Sequence, residues 1–206
     1  AALQTYGLGI MLDIVPNHMA TSMENPYWRD VLTYGSCSPF AKWFDIDWRM
    51  PDHAMWGRVL VPILGEPRRR VLDQGQISLV WHEGRFLIEY FAHRLPIDPA
   101  TVPMICQFGM ADLRERLAGD RTLLGELIAI LKPLRKLPKI AVRQRRRVTI
   151  DREETERQLA LFAQLVVQSP RMEQWINDTA AAFGSGESGP DRLEKLLDAQ
   201  PYRLAH

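Results

Sequence analysis

A short stretch near the start of the sequence, DIVPNHM over residues 13–19, carries side chains suited to chemistry. It places a carboxylate at Asp13, an amide at Asn17 and an imidazole at His18. A neutral imidazole can donate or accept a hydrogen bond, so His18 could contact the hydroxyl groups of a sugar. The amide of Asn17 could do the same, or its carbonyl could bind a hard cation. The alternative is that both side chains only cap a strand.

Asp13 is the one charged residue in an otherwise apolar run, LGIMLDIV over residues 8–15. A carboxylate in such a run needs partners, because burying an unpaired charge is costly. Two interpretations stay open for Asp13. It could make a structural hydrogen bond or ion pair within the fold, or it could orient the side chains of the neighbouring site.

The apolar run itself predicts the element that would position these side chains. Residues 8–15 lie between Gly7 and Pro16, and their nearly continuous apolar character is typical of a buried strand in a parallel sheet. Residues 1–7 predict the end of a helix that closes at Gly7. Helix, short loop and buried strand in this order indicate an α/β protein. In parallel α/β barrels, reactive side chains follow the carboxyl ends of strands, as Asn17 and His18 would.

Aromatic side chains crowd into residues 20–75, where regular periodicity is weak. We predict an irregular segment packed by its own rings, namely Tyr27, Trp28, Tyr34, Phe40, Trp43, Phe44, Trp48 and Trp56. Most of these rings fit a small core of that segment. Aromatic faces also provide rigid platforms for ligands, and Tyr27, Trp28 and Trp43 are the candidates for stacking on a glycan.

The rest of the sequence predicts a β-rich part and a helical part. A short strand is expected near Pro62, and a hairpin over residues 76–91 that turns at Glu83 and Gly84. Helices are expected over residues 110–131, stopped by Pro133, then over 151–168, 170–183 and from about 191 toward Pro201. Residues 184–190 indicate a flexible joint. These features divide the chain into parts at 1–20, 21–109, 110–183 and 184–206.

Composition and charge argue against several classes of function. The chain has 26 basic and 25 acidic residues and a net charge of +1, so neither nucleic acid nor a membrane is expected as a partner. A run of eight basic residues within 132–147 contains no aromatic residue and is followed by acidic ones, which favours a solvated loop. No apolar stretch is long enough to span a bilayer.

The cysteines and histidines predict no cofactor and no metal site. Cys37 and Cys106 belong to no metal-binding or redox pattern, which fits reduced thiols in a cytoplasmic protein. The five histidines have no ligand spacing with one another or with a cysteine. The first residues show neither a basic region nor a cleavage site, so no secretory signal is expected.

The stretch LDIVPNH resembles the first conserved region of the α-amylase superfamily of glycoside hydrolases and transglycosylases. That region reads D-x-x-x-N-H at the end of the third barrel strand, and Asp13, Asn17 and His18 match it position by position. Five further segments, ENPYW, FDIDW, VPILG, HRLPI and LLDAQPYRLAH, follow in the order found in the maltooligosyltrehalose synthases of this superfamily. The likeness spans essentially the whole chain.

The resemblance implies a fold and a reaction. The fold would be part of a (β/α)8 barrel, namely the end of helix 2, strand 3 and helix 3, with a large α+β insertion after strand 3. The reaction would convert the reducing-end α-1,4 linkage of a maltooligosaccharide into an α,α-1,1 linkage by intramolecular transglucosylation. A carboxylate nucleophile and a carboxylic acid would perform it, with a sugar hydroxyl in place of water.

By the same resemblance, His18 would hydrogen-bond the reacting glucose, Asn17 would be a weaker substrate contact, and Asp13 would support the site from behind. Asn17 is a calcium ligand in many α-amylases, but the neighbouring ligands are not identifiable here. The family's catalytic carboxylates lie in later segments, such as G-x-R-x-D-H, that this sequence does not contain. We therefore expect no catalytic residue in this chain, and a fragment that is inactive alone.

Two alternatives remain beside this interpretation. The chain could belong to another α-glucan hydrolase of the same superfamily, or it could be a non-catalytic glycan-binding module. The sequence leaves the oligomeric state open.

Overall fold

A computed structural model of the chain describes residues 5–7, 13, 19–118, 120–144 and 148–206. Within these ranges the chain is mixed α and β. The helices are α1 (Pro26–Tyr34), α2 (Arg68–Asp73), α3 (Val102–Phe108), α4 (Met110–Arg116), α5 (Arg121–Arg135), α6 (Ile140–Arg143), α7 (Arg152–Val167), α8 (Pro170–Phe183) and α9 (Gly189–Asp198). The strands are β1 (Val59–Pro62), β2 (Ile77–His82), β3 (Arg85–Tyr90), β4 (His93–Pro96) and β5 (Tyr202–Ala205).

The larger sheet is antiparallel, in the order β2-β3-β4. Its first two strands are the predicted hairpin, which is confirmed. The two turn residues, Glu83 and Gly84, have φ angles of 49° and 77°, the positive values that a tight two-residue hairpin needs. Alternate residues of β3 are buried, so one face of this sheet lies on the core. Strand β4, which pairs with β3, is not among the predicted elements.

The smaller sheet is parallel and joins two distant parts of the chain. Strand β1 pairs with β5 in the register Val59↔Tyr202 to Pro62↔Ala205. The predicted short strand at Pro62 is thus confirmed, whereas β5 is not among the predicted elements. Helix α9 ends at Asp198, before Pro201 could disturb it.

Three of the four helices predicted for the second half are confirmed, and one is not. Helices α7, α8 and α9 occupy the expected positions, and Asp151 begins α7 by accepting a hydrogen bond from the backbone N–H of Glu154. The single helix predicted over 110–131 is wrong, since the chain forms α4 and α5 there. The carboxylate of Asp120 caps α5 through the N–H groups of Thr122 and Leu123, which sets a new helix start.

One local prediction also needs correction. Pro133 does not stop α5, which continues to Arg135, because a proline this close to the end removes only one helical hydrogen bond. Ser169 is the N-cap residue of α8 and Pro170 lies in its first turn, although the Ser169 side chain makes no capping hydrogen bond. The stretch predicted as a flexible joint, 184–190, contains a turn and the first residues of α9, and Arg192 donates to the carbonyl oxygens of Phe183 (2.9 Å) and Ser185 (2.5 Å).

The aromatic segment is more regular than its sequence predicts. It contains α1, α2 and three short 3₁₀ helices, Gly35–Cys37, Pro39–Lys42 and His53–Met55. Its rings still pack among themselves as expected. Irregular backbone links these short helices, so the segment forms a layer of turns beside the antiparallel sheet.

One hydrophobic cluster runs through the described residues, from Trp28 in α1 to Leu204 in β5. Helix α8 lies at its centre, with Trp175 and Ile176 fully buried. The predicted barrel strand, residues 8–15, lies outside the described residues except for Asp13. The partial barrel therefore stays a prediction. Gly7, predicted to close the preceding helix, has a φ of 67°.

Candidate functional site

The motif DIVPNHM lies only partly within the described residues. Asn17 and His18 lie outside them. The side chain of Asp13 is exposed and makes no hydrogen bond or ion pair with the described part of the chain. The roles proposed for these three residues stay predictions, and the described site lies in the segment that follows them.

Helix α1 contributes side chains to two neighbouring surfaces. The residues that fix the start of this helix therefore also position both surfaces. The side-chain oxygen of Asn25 accepts hydrogen bonds from the backbone N–H groups of Tyr27 (3.0 Å) and Trp28 (3.4 Å). Pro26 occupies the first helical turn, where its missing N–H costs nothing. The Asn25 amide also donates to the carbonyl of Ala20 at 2.7 Å, which ties the helix to the chain that enters it.

The first surface is an aromatic platform formed by Tyr27, Phe40 and Trp43. Their ring centroids lie 4.8 to 4.9 Å apart, and each ring contacts the other two. Tyr27 is 38% exposed and Trp43 is 52% exposed, although each also contacts two other rings. The platform therefore presents two supported ring surfaces to solvent, a geometry that suits stacking against the apolar faces of a sugar.

Trp28, the third ring named as a stacking candidate, lies elsewhere. It is 8% exposed and packs against Phe44 with a centroid distance of 5.0 Å. A ring in the core has no face to offer a ligand. Tyr27 and Trp43 are the two rings of that set that reach solvent.

The second surface is a cleft of about 560 Å³ between α1, α7 and the antiparallel sheet. Its wall is apolar where Trp81, Phe86 and Phe162 meet. Ionisable and phenolic side chains converge on it from four elements, α1, β3, β4 and α7, namely Arg29, Asp30, Tyr34, Arg85, Arg94 and Glu156. His82 and Glu83 add to its rim at the hairpin turn.

Glu156 joins the elements around the cleft. One carboxylate oxygen accepts a hydrogen bond from the Tyr34 hydroxyl group at 2.5 Å, and the other accepts one from the Arg85 guanidinium at 2.6 Å. Burial raises the pKa of the Tyr34 phenol, and the hydrogen bond to Glu156 raises it further. The phenol thus stays protonated and acts as a hydrogen-bond donor to this carboxylate.

Asp30 connects the cleft to the aromatic platform. Its carboxylate accepts from the Ser38 hydroxyl at 2.5 Å and forms an ion pair with Arg152. Ser38 in turn accepts from the backbone N–H of Phe40 at 3.1 Å and so caps the short helix that carries the platform. The guanidinium of Arg152 lies over the Phe40 ring, 5.8 Å from its centroid.

The sequence predicts the platform rings but not the cleft. Composition points to Tyr27 and Trp43, because aromatics are dense there. Glu156 lies within DREETE, whose acidic residues predict only a helix start, and its pairing with Tyr34 spans 122 positions, which no local pattern reveals. Asn25-Pro26 is a signal that could have located the start of α1.

Among the described residues, no group of three or more histidine, cysteine, aspartate or glutamate side chains could hold a metal ion. Cys37 and Cys106 are both free thiols, and Cys106 is buried. The helices of the described chain include none long and apolar enough to cross a membrane.

Comparison with known proteins finds relatives for about a third of the chain. The chain is 42% identical over 67 residues to proteins named "Putative maltooligosyl trehalose synthase" in two strains of Mycobacterium tuberculosis, CDC 1551 / Oshkosh and ATCC 25618 / H37Rv. The match covers 32% of this chain and 8% of each relative, so the chain spans only a small part of the curated relatives it matches. No protein-family model matches the chain, and no solved structure does.

Proposed function

We propose that this chain is part of an enzyme that converts the reducing-end α-1,4 linkage of maltooligosaccharides into an α,α-1,1 linkage. The observation that carries the proposal is the 42% identity over 67 residues to relatives named as maltooligosyl trehalose synthases. The match to D-x-x-x-N-H at Asp13, Asn17 and His18 also supports it. The reaction would be an intramolecular transglucosylation, performed by carboxylates that this chain does not supply.

Within that enzyme, the chain would bind and shield the glucan. His18 would hydrogen-bond the reacting glucose and Asn17 would assist, while Asp13 would support the site from behind. The aromatic platform would stack on a further glucose unit through Tyr27 and Trp43, which are 38% and 52% exposed. Aromatic rings that stack on the glucan also displace water from its surface. A transglycosylase must keep water away from the reacting carbon.

The test is the product formed from maltopentaose by the protein encoded by the complete reading frame. We expect a G-x-R-x-D-H segment downstream of His206 and a non-reducing trehalosyl product, whereas the 206-residue chain should give no product above the blank. Replacing Trp43 by alanine in the complete protein should raise KM for maltopentaose several-fold. Lys42→Ala, next to the platform on an exposed position, is the matched control.

The outcomes separate the alternatives. Release of glucose without a trehalosyl product would overturn the proposal in favour of an α-glucan hydrolase. Turnover by the 206-residue chain itself would refute the view that its catalytic carboxylates lie elsewhere. Maltopentaose binding without any turnover by the complete protein would identify a glycan-binding module instead.

A further inference from the structure

The two inner carboxylates of the cleft already have partners on both oxygens. Those of Glu156 accept hydrogen bonds from Tyr34 and Arg85. Those of Asp30 accept from Ser38 and Arg152. Each carboxylate is thus paired with an arginine, and a ligand that entered the cleft would find neither of them unpartnered.

Donors, by contrast, remain available. Arg29, one turn into α1, is exposed and has no ion-pair or hydrogen-bond partner for its guanidinium among the described residues. Arg85 gives one N–H to Glu156, and its other N–H groups have no acceptor within the described ranges. A guanidinium carries five N–H donors and no acceptor, so both side chains keep donor capacity that faces the cleft.

His82 lies at the rim between Arg94 and Glu83. The Nη1 atom of Arg94 is 3.1 Å from Nε2 of His82, and a carboxylate oxygen of Glu83 is 3.7 Å from the same nitrogen. Arg94 also donates to Glu89 at 2.9 Å. Arg94 is therefore engaged on both sides, and the free donors of the cleft are those of Arg29 and Arg85.

One arginine of the cleft has no ion-pair partner among the described residues. Arg85 pairs with Glu156, Arg94 with Glu89, and Arg152 with Asp30. Glu83, on the rim at the hairpin tip, is 85% exposed and lies 3.7 Å from His82. Arg29 is therefore the arginine lining the cleft whose guanidinium is free to hold an anionic group.

We propose that this cleft binds a small organic anion, with its carboxylate or phosphate on Arg29 and its apolar body against Trp81 and Pro96. A guanidinium holds either group through two parallel hydrogen bonds. A wall of aromatic and proline side chains suits a flat hydrocarbon ring. This site is separate from the aromatic platform, because none of the platform rings Tyr27, Phe40 and Trp43 lines the cleft.

The experiment is calorimetric titration of the 206-residue chain with three ring compounds of similar shape. Benzoate and phenyl phosphate carry the two candidate anionic groups, and benzamide is the neutral isostere of benzoate. We expect at least one anion to bind, benzamide to bind about tenfold or more weakly, and Arg29→Ala to weaken the anion by a similar factor. The preference between benzoate and phenyl phosphate identifies the anionic group.

Two further measurements keep the result specific to the cleft. Arg114→Ala removes another exposed arginine with no ion pair in the described chain, away from the cleft, and should leave binding unchanged. The indole N–H signal of Trp81, assigned with Trp81→Phe in two-dimensional NMR, should shift on binding. Equal affinities for benzoate and benzamide, an unchanged affinity in Arg29→Ala, or no binding up to the solubility of the probes would each overturn the proposal.

Discussion

The phenol of Tyr34 makes the stability of the chain sensitive to alkaline pH. Tyr34 is 1% exposed, and its hydroxyl group donates to Glu156. Burial and this hydrogen bond raise the pKa of Tyr34 above its ordinary value, and burial does the same for Tyr202. A group whose pKa is higher in the folded state stabilises the fold below its unfolded pKa. That stability is lost as the pH rises above about 10.

We therefore expect the free energy of unfolding to fall above about pH 10, by up to about 1.4 kcal/mol per pH unit for each of the two buried phenols. Tyr34→Phe should remove the contribution of the Tyr34 phenol, so the free energy of unfolding should fall less steeply with pH in this variant. Urea unfolding followed by circular dichroism between about pH 8 and pH 11 measures the slope. Tyr6→Phe, at a position 80% exposed, is the control. An unchanged slope in Tyr34→Phe would contradict the assignment.

Individual site residues differ in how far the sequence reveals them. Tyr27 and Trp43 could be predicted, because a dense group of aromatics is visible in the composition. Arg29 could not, since its importance comes from what it lacks, an ion-pair partner among the described residues. That property depends on where Glu156 and Asp30 find their own donors, and two of those pairings, Tyr34 with Glu156 and Arg152 with Asp30, each join positions 122 residues apart.

At the scale of elements, the corner between α3 and α4 is packed directly against α8. The indole N–H of Trp175 donates to the carbonyl of Gly109 at 2.7 Å. A methyl group added at Gly109 would lie 2.2 Å from the Thr179 hydroxyl oxygen and 2.8 Å from the Trp175 nitrogen. Both neighbours are buried in helix α8, so they have little room to move.

We expect Gly109→Ala to lower the free energy of unfolding by about 1 to 3 kcal/mol, as overpacked cores do. Gly125→Ala is a matched control, because Gly125 lies in the interior of α5 with nothing within 4 Å of an added methyl group. That substitution should raise stability by about 1 kcal/mol through helix propensity. The urea midpoints of the two variants test the expected loss of stability in Gly109→Ala and the expected gain in Gly125→Ala. A Gly109→Ala protein as stable as the wild type would refute the packing argument.

Elements with local signals could be predicted well, and elements that depend on distant partners could not. The hairpin turn at Glu83-Gly84 and the Asp151 start of α7 are determined by a few adjacent residues. The break between α4 and α5 is hidden, because the leucines continue at helical spacing through it and only the Asp120 cap marks the new start. Strand β5 needs β1 as its partner, and no neighbouring residue of β5 indicates that.

For the whole molecule, a buried ion pair joins four separated stretches of the chain. The side chains of Asp98 and Arg143 are each 1% exposed, with 2.6 Å between Oδ2 and Nη2. Arg143 also donates to the carbonyls of Pro138 and, at the end of α1, Tyr34. The backbone N–H of Asp98 donates to Gln200 at 2.7 Å, which brings in the segment between α9 and β5. Nothing in the sequence around either charge indicates this partnership.

Because the pair is buried, removing one member alone should cost more stability than neutralising both. Arg143→Met leaves the Asp98 carboxylate without its cation and should cost about 3 to 5 kcal/mol of unfolding free energy. The double variant Asp98→Asn with Arg143→Met leaves no charge at either position, and the new amide oxygen can still accept from the N–H of Ala100, as the carboxylate does at 2.9 Å. We expect it to recover most of the loss, measured by urea unfolding. If Arg143→Met alone lowered the free energy of unfolding by less than about 1 kcal/mol, the buried pair would not hold these four stretches of the chain together.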